Sequence, residues 1–198
     1  MSVLAIDIET KNMSHEIGGW NNTHMFQVST VATWDGNKGV VYVDEPVDCF
    51  AKTGIEVKPL SVLKYDLDEH YENNGRLLGH NIVSFDLPVL RDSMDIYCIR
   101  KYMQKKAYID TSSSLVSGHG KRIRLNNLVK HSLGDSKTMD SADAPLLWKQ
   151  GDFNTVTEYC LKDTQLVYDL WRFGQKNGYV SAYDIDEEIK KQYEVKWK

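Results

Sequence analysis

The sequence predicts an α/β protein, a sheet covered by helices, and three observations support that class. The first third is built from short apolar and β-branched runs. The remainder carries apolar residues at helical spacing, and further short apolar runs fall between those helical segments. Strands first, then strands alternating with helices, is the order that lays helices on a sheet.

Val3 to Ile8 is a short apolar run and predicts the first strand. Phe26 to Trp34 is rich in β-branched residues, and Gly39 to Val43 follows the turn-like Asp35-Gly36-Asn37. Together they predict a three-stranded antiparallel meander. Leu60, Leu63, Leu67 and Tyr71 share one side of a helix over Leu60 to Tyr71. A strand at Leu77 to Gly79, a helix from Phe85 to Tyr97 and a strand at Ala107 to Ile109 follow. Helices are predicted at Arg124 to His131 and at Asp152 to Phe173, and the charged stretch Asp184 to Lys198 is expected to form a terminal helix. No repeat, low-complexity tract or linker divides the chain. One domain over residues 1–198 is therefore expected, with a core of about residues 3–172 and an extension of about residues 173–198.

The 198 residues are enough to bury a core without metal or disulfide staples, and 41% hydrophobic with 26% charged residues is ordinary for a soluble globular chain. Cys49, Cys98 and Cys160 are scattered, which fits a reducing compartment and offers neither a disulfide framework nor a zinc site. An acid interrupts the apolar N-terminus, so it reads as a strand rather than a signal peptide, and no apolar run has membrane-spanning length. A cytoplasmic protein with no membrane partner is expected. Residues 96–134 hold eight basic side chains against Asp110 alone, a net +7, leaving −11 for the rest of a chain whose total is −4. A phosphate-binding rim beside an acidic centre has this asymmetry, and so does a merely solvated face.

Three separated segments place acids where a metal site needs them. In Ile6-Asp7-Ile8-Glu9-Thr10, strand alternation turns Asp7 and Glu9 to one face. In Gly79-His80-Asn81-Ile82-Val83-Ser84-Phe85-Asp86, the acid falls at a helix start, where a carboxylate also serves as a cap. In Tyr159-Cys160-Leu161-Lys162-Asp163, tyrosine and acid lie one helical turn apart, with Leu161, Leu166, Val167 and Leu170 packing the other face. Hard cations such as Mg²⁺ or Mn²⁺ take oxygen ligands, and two of them about 4 Å apart activate water and neutralise a leaving oxygen in phosphodiester hydrolysis.

The order and content of these segments resemble the DEDD superfamily of 3′-to-5′ exonucleases, on the ribonuclease H-like fold. They match the subgroup whose third motif is Tyr-x-x-x-Asp. Gly79-His80-Asn81 before Phe85-Asp86-Leu87 is most similar to the proofreading domains of family B DNA polymerases and their free-standing relatives. The resemblance implies a mixed sheet flanked by helices and a site for two divalent cations, Mg²⁺ or Mn²⁺. It implies that Asp7 bridges both ions, Glu9 and Asp163 hold the first, Asp86 supports the second, and Tyr159 orients the attacking water. The substrate it implies is single-stranded nucleic acid with a free 3′ end, DNA before RNA. With no polymerase domain attached, the chain acts alone or is recruited by a polymerase or another replication or repair partner.

Around this set, Thr10 and Met13 follow the first motif where relatives hold the terminal nucleotide. His80, Asn81 and Phe85 surround the second motif, and Lys121, Arg122 and Arg124 offer charges for phosphates. Asp110 is expected to be a cap, Lys162 to be solvated, and His119 and His131 to be structural or part of the basic rim. Two alternatives stay open: a binding module of the same fold without catalysis, and a structure-specific endonuclease.

Overall fold

The computed structural model describes residues 2–197, and the chain is α/β. Its strands are β1 (Val3–Thr10), β2 (Val28–Trp34), β3 (Gly39–Val43), β4 (Glu56–Lys58), β5 (Arg76–Gly79), β6 (Tyr108–Asp110), β7 (Tyr179–Asp184) and β8 (Ile189–Glu194). Its helices are α1 (Leu63–Glu72), α2 (Asp86–Asp92), α3 (Tyr97–Lys105), α4 (Thr111–His119), α5 (Leu125–Ser132), α6 (Ala144–Lys149) and α7 (Phe153–Asn177). Six strands form one mixed sheet in the order β4-β3-β2-β1-β5-β6, and β7 pairs with β8 in a separate hairpin. The expected meander is present: β2 is antiparallel to both β1 and β3. The β1–β5, β5–β6 and β3–β4 pairs are parallel. This mixed sheet between helices agrees with the ribonuclease H-like class. Among the described residues no helix is long and apolar enough to cross a membrane.

Strand alternation sorts the two faces. Ile6, Ile8, Val31 and Leu77 point to one side and pack with Leu63, Leu67, Leu87, Leu90 and Ile99 of α1, α2 and α3. Ala5 and Leu78 point to the other, against Leu128, Leu166 and Leu170, while Ala32 and Val41 meet Trp148, Val156 and Cys160. Asp7 and Glu9 continue the Ala5 row, so the row that begins apolar ends in two acids beneath α7. Burying each Leu or Ile of these layers contributes about 1.5–3 kcal/mol. That packing fixes the strand whose last turns carry the acids.

Two expected helices are corrected. The helix predicted from Phe85 to Tyr97 stops at Asp92, because Asp95 takes a left-handed backbone (φ 49°), and α3 then starts at Tyr97. The predicted terminal helix is instead the β7–β8 hairpin and its tail. Tyr193, Val195 and Trp197 are buried alternately, a period-two pattern that the surrounding charges obscure, and Lys198 lies outside the described residues. The hairpin packs on α5 and α7 through Val180, Ala182 and Tyr193, so the extension shares a core with the rest of the chain. Two helices and a strand, α4, α6 and β4, carry no clear periodic signal. α4 reads Thr-Ser-Ser-Ser at its start and is held by Asp110, whose carboxylate accepts the Ser113 amide at 3.0 Å.

Candidate active site

The parallel register of β1 with β5 ends at Ala5 opposite Leu78, and β1 runs on past it. The chain leaves β5 at Gly79, where a Cβ would come within 2.0 Å of Ile82 Cγ2 and 3.1 Å of the Ile6 carbonyl oxygen. Only glycine allows that approach, and Asn81 then turns with φ 72°. The carboxylate of Asp110 secures this turn by accepting the Asn81 and Val83 amides at 2.9 and 3.0 Å. Asp110 is thus a cap and a loop anchor at once. The turn opens a gap beside the end of β1, and the gap is the mouth of a cleft of about 880 Å³. A crevice where strand neighbours part is a common ligand site in α/β sheets.

Asp7, Glu9, Asp86, Tyr159 and Asp163 all line this cleft. Carboxylate oxygens of Asp7, Glu9 and Asp163 lie within 4.8 Å of one another. Asp86 stands outside that triad. Its carboxylate accepts the Ile8 amide at 3.3 Å, satisfying a β1 donor beyond the last β5 pairing and tying α2 to the strand. Asp7 Oδ2 and Asp163 Oδ1 are buried with no hydrogen-bond partner. Buried carboxylate oxygens without partners are costly, and an arrangement of this kind, three carboxylates offering oxygen alone, could hold a hard cation.

Burial and like charge act together on these acids. Burial raises the Asp7 carboxyl well above the usual carboxylate range, and Asp163, Asp86 and Glu9 push it further. Glu9 is raised by burial first and by Asp163 next. Burial lifts Asp86 to about 7, and burial keeps Asp163 raised despite a neighbouring ammonium. Burial also raises the Tyr159 phenol, with Asp163, Glu9 and Asp7 adding to the effect, so the hydroxyl keeps its proton.

That ammonium belongs to Lys137, the functional candidate that sequence reasoning missed. Its Nζ pairs with Asp163 Oδ2 and donates to the Tyr159 hydroxyl at 2.6 Å. Burial opposes its charge, but Asp163, Asp7 and Glu9 outweigh that and hold it above the ordinary lysine range. The loop that delivers it is pinned twice: the Lys137 amide donates to Asn126 Oδ1 at 3.0 Å, and Lys162 bridges to Asp135 at 2.7 Å. Lys162, expected to be solvated, keeps 32% of its side chain exposed and anchors this loop as well. Lys137 sits in an irregular loop with no periodicity, just past the end of the basic run, and only the fold brings it to the acids. Lys137→Met is expected to lower the stability of the metal-free protein at neutral pH by about 1–3 kcal/mol, the cost of leaving a buried charged group without its partner. The loss shrinks as pH falls, because Asp163, already raised by burial, takes up a proton instead; urea melts across a pH series measure it.

The remaining predicted residues divide. Thr10, Met13, His80, Asn81 and Phe85 line the cleft. Thr10 donates its hydroxyl to the Asn12 carbonyl at 2.9 Å. His80 is committed to the protein: Nδ1 is 2.9 Å from the Thr111 hydroxyl and Nε2 2.9 Å from the Ile123 carbonyl. Burial brings the His80 pKa down to about 4, so the ring is neutral near pH 7. Of the three basic residues proposed for phosphates, Arg122 alone lines the cleft, held by Asn81 Oδ1 at 3.0 Å. Lys121 is taken by Asp184 and Asp186 of the hairpin, at 3.4 and 3.0 Å, and Arg124 precedes α5 outside the cleft lining. His119 and His131 hold the hairpin, the first through the Glu194 carbonyl at 2.8 Å and the second stacked on Tyr183. Compared with protein-family models and with curated proteins, the chain matches none, so what the site does rests on its own residues.

Proposed function

We propose that the chain is a metal-dependent 3′-to-5′ exonuclease that trims single-stranded nucleic acid and releases nucleoside 5′-monophosphates. The observation that carries this reading is the convergence of Asp7, Glu9 and Asp163, with unpartnered buried oxygens, beside the Tyr159 hydroxyl in one open cleft. The donor set fits a hard divalent cation: it offers oxygen alone, it is crowded with like charge, and no cysteine or histidine joins it. Asp7, Glu9 and Asp163 would hold one ion, with Asp86 and Asp7 placed for a second. Such ions, when bound, lower the pKa of water and neutralise charge on the reacting phosphate.

The chain's own groups do the rest. Hydrolysis joins a water oxygen to the terminal phosphorus and breaks the bond from that phosphorus to the penultimate 3′-oxygen. Tyr159 stays protonated, so it orients the water rather than deprotonating it. Lys137 donates to the tyrosine oxygen and the phenol also hydrogen-bonds the Asp163 carboxylate, so the hydroxyl is fixed beside the group that would hold the first ion and its water. Arg122 at the cleft wall meets a phosphate of the incoming strand. The resemblance to proofreading domains puts DNA before RNA as the polymer.

A 5′-labelled single strand, as DNA and as RNA, incubated with Mg²⁺ or Mn²⁺ tests the reading. A ladder shortening from the 3′ end supports it, and discrete internal cuts or uncut strand with either metal sink it. Lys137 also gives the binding-module alternative a specific footing, since a permanent ammonium on Asp163 supplies positive charge without a metal; strand binding without cleavage is its signature. Arg122→Ala is expected to flatten the dependence of log affinity on log salt by about 0.7, the share of one phosphate contact on a single strand. Lys121→Ala leaves that slope unchanged, because its charge is spent on Asp184 and Asp186. Anisotropy titrations in EDTA at several salt concentrations compare the two.

A further inference from the structure

Trp20 is 65% exposed, whereas Trp148, Trp171 and Trp197 are buried. A large indole left in water is unusual for a residue that prefers the interior, and this one lines the same cleft as the carboxylates. It does not hang loosely. Phe85 meets it edge-on with centroids 5.5 Å apart, and Phe26 lies beneath at 6.0 Å and is itself edge-to-face with Phe85 at 5.2 Å. Phe26 is buried, so the cluster is rooted in the core. The loop under Trp20 is closed by two bonds of its own, Gly19 N to the Ser14 carbonyl and Asn22 Nδ2 to the Ile17 carbonyl, both 2.7 Å, and is tied to α2 by the Thr23 hydroxyl donating to Asp92 Oδ2 at 2.6 Å. The ring is held in place and shown to solvent. Phe85, its neighbour, directly precedes Asp86, so the aromatic cluster and the acidic centre share a support.

We propose that Trp20 is a stacking platform for a nucleobase of the single-stranded substrate. The proposal takes its substrate class from the exonuclease reading and adds an aromatic surface for a base, since carboxylates, Tyr159 and Arg122 engage only phosphate, sugar and water. Every base has a π-face, so an indole holds any of them without reading sequence. A preset ring loses little side-chain freedom on binding, which favours a supported tryptophan over a flexible side chain here.

Metal-free protein in EDTA, where no hydrolysis occurs, is titrated with a short oligothymidylate and with the same oligomer carrying abasic nucleotides at its 3′ end. Wild type is expected to bind the intact oligomer with quenching of tryptophan emission, and Trp20→Ala to bind it about 5- to 150-fold more weakly, the range for one base–aromatic stack. Trp20→Phe keeps part of the affinity and loses the quenching. On the abasic oligomer, wild type and Trp20→Ala bind alike, because the partner of the indole is gone. Equal affinity of wild type and Trp20→Ala for the intact oligomer overturns the proposal, and so does an equal loss on both oligomers. Thermal melts of Trp20→Ala at the wild-type temperature show that the fold is intact; a lowered melt is answered by Trp20→Phe, whose unchanged quenching overturns the assignment. Trp20-dependent binding by a protein that never cleaves leaves the platform standing and removes the exonuclease. Cleavage with no role for Trp20 does the reverse.

Discussion

Asp7→Asn is expected to abolish hydrolysis with either Mg²⁺ or Mn²⁺ while raising the melting temperature of the metal-free protein. Asp7 belongs to the carboxylate triad, and the carbons of asparagine fill the same space without the charge. In the metal-free fold, burial and then the neighbouring acids raise the Asp7 carboxyl, and Glu9 and Asp86 are raised with it. An acid raised in the folded state favours folding below its unfolded pKa and loses that contribution as pH climbs through the folded value. For Asp86 the window runs from about 4 to about 7. The metal-free protein therefore melts at lower temperature at pH 8 than at pH 5, and Asp7→Asn narrows the difference. Each kcal/mol of relieved repulsion raises the melt by roughly 2–4 °C in a chain of this size. Divalent metal at a hundredfold excess over its dissociation constant adds about 2.7 kcal/mol to the wild type, and much less to the variant. Calorimetry with and without metal gives these shifts. Near-normal hydrolysis by Asp7→Asn with saturating Mn²⁺ would remove Asp7 from the site.

Tyr159→Phe separates an orienting hydroxyl from a packing ring. The side chain is 1% exposed, so phenylalanine keeps its contacts, and Lys137 keeps Asp163 as a partner. Single-turnover cleavage is expected to fall about 10- to 1000-fold, the range for losing one proton-handling or orienting group. Affinity for Mn²⁺ and for the strand should survive, because neither rests on the hydroxyl, whereas Asp163→Asn should weaken metal binding itself. Both variants are compared by rapid-quench cleavage and by metal titration. A wild-type rate for Tyr159→Phe makes the tyrosine a packing residue and its match to the exonuclease motif a coincidence.

The sequence announced what is periodic and local. The Asp7/Glu9 row, the Tyr159/Asp163 turn and the meander follow from strand and helix spacing, and each stands where that spacing puts it. Lys137 did not announce itself, because its loop has no period and its partners are distant in the chain. The C-terminal hairpin was hidden by composition: the charges between Tyr193, Val195 and Trp197 masked their alternation. The run of basic residues was only partly legible. Charge counted along the chain cannot see that Lys121 meets Asp184 and Asp186, which lie far downstream and arrive only when the hairpin folds back.

The acidic triad draws Asp7 and Glu9 from the first strand and Asp163 from the last long helix, with the Cys160 thiol closing on the Asp7 carbonyl at 3.4 Å. A growing chain therefore holds half a site throughout most of its synthesis, on the order of ten seconds at typical translation rates. The three carboxylates do not meet until α7 docks over β1. The same geography gives the folded protein a fail-safe: an opening that lifts α7 disperses the acids even if the meander survives. The acidic centre is thus a late product of folding, assembled only by contact between the two ends of the chain.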